Sequence, residues 1–178
     1  MLRRPTPDEY APFYATYVDA VPSGRSEDGD ILERLAAQGE RTTALLRGLS
    51  PEHETFRYAA DKWSLRELVG HMTDTEWVFV SRALAFARRD PAPRPGMDQD
   101  LWAQASNANQ QPMAELVAAQ SALRTATVAL FRTFDDDTWN RSGIASGSEC
   151  SARAIPYIIA GHELHHLRVI EERYLAHS

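Results

Sequence analysis

The stretch Ile155-Pro156-Tyr157-Ile158-Ile159-Ala160-Gly161-His162-Glu163-Leu164-His165-His166-Leu167-Arg168-Val169-Ile170 decides how the chain is read. Ile155, Ile158/Ile159 and Val169/Ile170 keep the 3.6-residue period of an amphipathic helix, and His162 and His166 fall on the same stripe. The two histidines therefore stand where the pattern calls for buried aliphatics. Residues at i and i+4 leave one helix face with Cβ atoms roughly 5–6 Å apart. Two imidazoles so placed can share one metal ion, and a buried imidazole needs a partner for each ring nitrogen.

Working outward, three more long helices are expected. One runs from about Ile31 to Leu49 behind an Asp30 N-cap, and Pro51 ends it. The next opens on Ser64-Leu65-Arg66-Glu67, a capping-box pattern, and runs to about Arg88 with His71 on board. The third starts near Pro112, with an apolar stripe from Met113 to Phe134. Ser151 is a candidate cap for the helix of the opening stretch, which ends near Tyr174. Pro156 implies either a later start or a kinked first turn. Between the second and third helices lies a long connection, about residues 89–111, in which Leu101, Trp102 and Ala105 suit a short helix. Residues 142–148 read as a Gly/Ser-rich turn, and no stretch sustains two-residue alternation, so no strand is expected. Ser23 to Gly29 reads as another turn. The simplest solution is all-α, a four-helix bundle in which the second and third helices need not be sequential antiparallel neighbours. The domain division expected is residues 1–29 as an extension with a short helix around Tyr10 to Val18, and residues 30–178 as the bundle.

Composition narrows the function. The chain has 178 residues, 43% apolar, with a net charge of −6 and interleaved signs. No basic block exists to track phosphates, so no nucleic-acid partner is expected. No membrane span and no signal-type N-terminus is read, and a cytoplasmic location is the default. The single cysteine, Cys150, reads as an ordinary free thiol.

A lone i, i+4 histidine pair is a weak signal. His71, near the apolar face of a different helix, strengthens it, because side chains from several helices of a bundle can converge in its core. Three imidazoles and an open position suit a catalytic divalent ion. Zinc fits best, with nickel, iron and manganese also admitted by nitrogen donors. On zinc, a water in the open position would be acidified towards a pKa of about 7. Asp74 (i+3) and Glu67 (i−4) are candidates to orient His71 from its other ring nitrogen, although Glu67 is also the capping-box partner. Tyr58 and Lys62 are candidates for a pocket rim, and Trp63 for a staple against Leu68. His165 points about 100° away from His166, His53 and His177 read as surface residues, and Glu163 points away from His162.

Trp63-Ser64-Leu65-Arg66-Glu67-Leu68-Val69-Gly70-His71-Met72-Thr73-Asp74-Thr75-Glu76 resembles the second-helix signature of the DinB-like (YfiT-like) metalloprotein superfamily, and Gly161-His162-Glu163-Leu164-His165-His166 resembles its fourth-helix motif. Together they are fairly specific, and the resemblance covers most of residues 30–175. It implies a bundle with a long crossover between helices 2 and 3, a divalent metal held by His71, His162 and His166, and a homodimer. Relatives of this kind include transferases that use the thiols bacillithiol or mycothiol. The function expected is thus a metal-dependent S-transferase that joins a low-molecular-weight thiol to a small electrophile. Metal-assisted hydrolysis is one alternative. A non-catalytic, metal-stabilised binding or dimerisation bundle is another.

Overall fold

The computed structural model describes residues 2–22 and 30–176. The expected turn over Ser23 to Gly29 and His177 lie outside the described residues. In chain order the helices are α1 (Ala15–Ala20), α2 (Ile31–Arg47), α3 (Pro51–Glu54), α4 (Leu65–Ala87), α5 (Gln99–Ala105), α6 (Met113–Phe131), α7 (Asp136–Trp139) and α8 (Ala154–Val169). Two 3₁₀ turns, Pro7–Glu9 and Pro12–Tyr14, precede α1, one, Ala108–Gln110, follows α5, and α8 runs on into a π-type turn over Ile170–Tyr174.

Local signals place these ends. Asp30 caps α2, its Oδ1 accepting from Leu32 N at 3.1 Å. Both halves of the Ser64/Glu67 box form at α4: Glu67 N donates to Ser64 Oγ at 3.2 Å, and Ser64 N to Glu67 Oε2 at 2.8 Å. Helix α8 starts at Ala154, whose N–H donates to Ser151 Oγ at 3.1 Å. Pro156 then sits in the first turn, where a missing N–H costs no helical hydrogen bond.

Four long helices make the bundle. Helix α2 packs on α6 and α8, and α4 packs on the same two. Consecutive long helices α2 and α4 therefore face each other across a diagonal. One apolar cluster joins the end of α2 (Leu46) to the starts of α4 (Leu65, Leu68) and α6 (Met113, Val117) and to Ile170 beyond α8. The other joins the start of α2 (Ile31, Leu35) to the ends of α4 (Phe79 to Ala87) and α6 (Val128, Phe131) and to the start of α8. Helices α4 and α6 are thus parallel, which requires the long crossover between them, and α8 runs antiparallel to both.

One expectation needs correction. The turn at residues 142–148 belongs to a two-stranded antiparallel hairpin, β1 (Ser142–Ala145) and β2 (Ser148–Ser151). Ser146 and Gly147 carry φ of +52° and +80°. Positive φ at both central residues is the two-residue turn that matches strand twist. The hairpin also anchors the crossover: Arg94 N donates to Ile144 O and Ser146 N to Arg94 O, at 2.8 and 3.0 Å.

Helix α8 is more deeply set than a stripe predicts: every residue from Ala154 to Glu163 is buried. The N-terminal segment covers its outer face. Tyr10, Tyr14, Val18 and Val21 join the core, and α1 crosses α8 at Gly161. A Cβ at Gly161 would lie 1.9 Å from Tyr17 O, so the approach admits glycine alone.

A buried polar tie joins all four long helices. Arg124 of α6 donates from Nε and Nη2 to the two carboxylate oxygens of Glu76 (α4) at 3.0 and 2.8 Å. Its Nη1 donates to Glu163 Oε2 (α8) and to Leu35 O (α2), at 2.8 and 2.9 Å. Gln38 of α2 adds donors to Glu163 Oε2 and Ala160 O, and Thr127 donates to Glu76 Oε1.

Two stability outcomes follow. Gly161→Ala is expected to lose about 1–3 kcal/mol from overpacking against backbone, measured by urea unfolding. Gly48→Ala, whose Cβ meets only ordinary contacts, is expected to stay near wild type. Arg124→Met leaves two buried carboxylates without their cation and is expected to cost about 3–5 kcal/mol. Adding Glu76→Leu and Glu163→Leu to it is expected to restore most of that loss in the same assay.

Candidate metal centre

Near its start, α4 delivers His71, and α8 delivers His162 and His166 one turn apart near its end. Because the helices are antiparallel, these regions meet. The rings are 4, 7 and 9% exposed. His162 Nε2 stands 3.2 Å from His71 Nε2 and 3.0 Å from His166 Nε2. One nitrogen from each ring can be chosen so that all three lie within 4.8 Å of one another.

The chemistry of this donor set fits a cation. Three ligands at about 2.0–2.1 Å in a tetrahedral arrangement stand roughly 3.3 Å apart, close to the two spacings observed. Burial pushes the His71 ring down to about 4, with His165 lowering it further and Asp100 opposing. Burial first, then the neighbouring imidazoles His71 and His165, lowers His166 to about 3. Burial and the other three imidazoles take His162 well below its ordinary value. All three rings are therefore neutral at pH 7, with lone pairs free to ligate. Thr75 Oγ1 lies 3.4 Å from His71 Nδ1, and His166 Nδ1 has no hydrogen-bond partner among the described residues.

The supporting residues sort differently from the sequence pattern. The hydroxyl beside His71 Nδ1 comes from Thr75, four residues on. Glu67 is occupied at the helix start, with Ser64 N, Asn109 Nδ2 (2.7 Å) and Arg57 (2.8 Å) as partners. Asp74 is half-buried and burial raises its carboxyl, but it makes none of the polar contacts to the imidazoles. Trp63 packs against the apolar cluster that contains Leu68 and lays its ring against His71, centroids 4.7 Å apart. Tyr17 of α1 meets the edge of His162 at 5.4 Å, a contact that nothing in the spacing of Tyr10 to Val18 announced. His165 is exposed and packs against Tyr17 and His166.

Two sizeable cavities among the described residues reach the imidazoles. One, of about 650 Å³, is lined by His166 and His165 together with Tyr58, Lys62, Trp63 and Asp100. The other, of about 400 Å³, is lined by His71 and His162 with Tyr14, Tyr17, Phe79 and Arg82. Among the described residues no helix is long and apolar enough to cross a membrane.

The model of the DinB superfamily matches residues 34–170. In structure the chain is similar to YfiT from Bacillus subtilis, described as a probable metal-dependent hydrolase with an unusual four-helix bundle topology. That likeness has a TM-score of 0.70 at 16% identity and covers 85% of this chain and 90% of that one. At such identity it speaks for the fold: an all-α bundle of this type with the long crossover between the second and third long helices. No match is found among curated protein sequences.

Because the folded rings bind protons more weakly than unfolded histidine near 6.5, the unfolded chain takes them up first on acidification. Stability of the metal-free protein is expected to be whole above about pH 6.5 and to decline towards the folded values of about 4 and 3. Urea midpoints at pH 7 and pH 5.5, above the carboxylate range, test this. The midpoint falls in the wild type and falls less in His166→Gln. A flat wild-type profile would contradict the neutral buried trio.

Proposed function

The chain belongs to the DinB superfamily, and from that premise we propose that it is a metal-dependent enzyme whose ion is held by His71, His162 and His166. The single observation that carries this is the convergence of three neutral, buried imidazoles with Nε2 atoms 3.0 and 3.2 Å apart. A divalent cation, zinc by donor chemistry, would act as a Lewis acid that makes a bound thiol or water more acidic. The chain's own residues do the rest. Trp63 packs tilted against His71 and Tyr17 meets His162 in a T-shaped contact, the low-dielectric surroundings keep the rings unprotonated, and Thr75 Oγ1 stands beside the far nitrogen of His71.

We propose the reaction to be transfer of a low-molecular-weight thiol, of the bacillithiol or mycothiol type, to a small electrophile. Two separate cavities reaching one cluster support a two-substrate reaction. The cavity rimmed by Tyr58 and Lys62 also carries Arg57, Asp61, Glu67 and Asp100, a mixed-charge surface suited to a polar, zwitterionic thiol. A second reading is metal-assisted hydrolysis, which has in its favour the description of the structurally similar YfiT. The homodimer is carried forward on the family resemblance.

Purified wild-type protein is expected to hold about one divalent ion per chain by elemental analysis. His162→Ala is expected to hold essentially none while its far-ultraviolet circular dichroism keeps most of the helix signal. Full retention of metal by that variant would overturn the ligand set. Turnover of chloroaromatic or epoxide probes that appears only with added thiol supports transfer. Thiol-independent cleavage of esters or amides supports hydrolysis instead.

A further inference from the structure

Three arginines are buried among the described residues: Arg82, Arg124 and Arg153. Arg124 is shared by Glu76 and Glu163, and Arg153 pairs with Glu9 at 2.6 Å. Arg82, 3% exposed, has no such partner among the described residues. Its Nη1 donates to Tyr14 Oη at 3.1 Å, and its Nη2 donates to Pro95 O at 2.7 Å and Ser146 Oγ at 3.0 Å. All three acceptors are neutral, and Nε has no hydrogen-bond partner among the described residues. The Phe79 ring lies 5.4 Å from the guanidinium. A guanidinium keeps its charge at any working pH. Burying it without an anion is costly, and bringing in a carboxylate relieves that cost through paired, charge-assisted hydrogen bonds.

Arg82 lines the 400 Å³ cavity that His71 and His162 also line. Eleven residues separate Arg82 from His71 on α4. That is three helical turns, so both project from one face with Cα atoms about 16 Å apart. Thr75 and Phe79 fill the same face between them and also line the cavity. No aspartate or glutamate lines it, and Arg82 is the one formally charged side chain there among the described residues. The other cavity, by contrast, sets Asp61, Glu67 and Asp100 against Arg57 and Lys62. Its size is within the range of small-molecule sites, about 300–1,000 Å³.

We propose that the Arg82 cavity binds a small carboxylic acid. Arg82 takes the carboxylate, the aromatic walls of Phe13, Tyr14, Tyr17 and Phe79 take an apolar body, and the far end of the molecule is presented to the imidazole cluster. Presentation to the cluster rests on the transfer reading above, where this molecule is the electrophile. The carboxylate site itself rests on the unpaired cation and stands without that reading.

The test titrates 4-phenylbutyrate and its neutral isostere 4-phenylbutanamide into metal-free and zinc-loaded protein by calorimetry. The acid is expected to bind at least about tenfold more tightly than the amide in both forms, a difference of about 1.4 kcal/mol. Arg82→Gln is expected to erase that preference, and exposed Arg88→Gln to keep it. Should Arg82→Gln fail to fold, the wild type decides alone. The Arg82 guanidinium ¹⁵N–¹H signals then move with the acid along the calorimetric isotherm and stay still with the amide. Equal affinity for acid and amide overturns the proposal, as does a preference that survives in folded Arg82→Gln. So does no saturable binding of the acid up to about 10 mM, a free energy near −2.7 kcal/mol. A carboxylate preference with no thiol-dependent turnover sinks the transfer reading and leaves this pocket standing. Turnover without the preference does the reverse.

Discussion

One guanidinium holds the four long helices in place. Arg124 reaches from α6 to carboxylates on α4 and α8 and to backbone on α2, all within 2.8–3.0 Å. Burial alone would make its charge less favourable, but Glu163 and Glu76 more than offset that and hold it protonated. Such a tie adds little net stability over well-packed apolar residues, because three charges must be desolvated to make it. What it contributes is register. Each helix can slide only by breaking a charged hydrogen bond in a low-dielectric core. Glu163 is the neighbour of His162, so fixing Glu163 towards the tie turns His162, about 100° around the helix, towards His71.

A second constraint acts from outside the bundle. The N-terminal segment lies across α8 where Gly161 lets backbone touch backbone, and Tyr17 closes over His162. The covering has an electrostatic consequence. Imidazoles that faced water would titrate near neutrality, and these three are instead kept neutral by burial. The same segment supplies Tyr14 Oη to Arg82. An element read from sequence only as an extension with a short helix thus walls the cavity and desolvates the ring cluster together.

Particular residues show what local pattern can and cannot reveal. The Ser64/Glu67 box, the Asp30 cap and the i, i+4 spacing of His162 and His166 are all legible within a few residues, because capping and helix period act at that range. Ser146-Gly147 was legible in principle: two residues able to take positive φ between short runs is a hairpin signal, masked here because strands of four residues show too little alternation. The tie was not legible. Gln120 and Thr127 fit the α6 stripe by spacing, but Arg124, Glu76 and Gln38 have polar side chains whose burial depends on partners up to 125 residues away. Thr75 beside His71, in place of Asp74 or Glu67, turns on side-chain rotamers set by packing.

The sequence by itself determined the four long helices, the Asp30 and Ser64/Glu67 caps, the all-α bundle and the three histidines able to meet, since each follows from periodicity and short-range hydrogen bonding along one strand of chain. Only the tertiary structure decided that α2 and α4 face each other across a diagonal, that two sizeable cavities share one cluster, and that Arg82 is buried with no counter-ion among the described residues. Those are properties of space between elements. They arise from packing and desolvation among groups far apart in sequence, which no local period records.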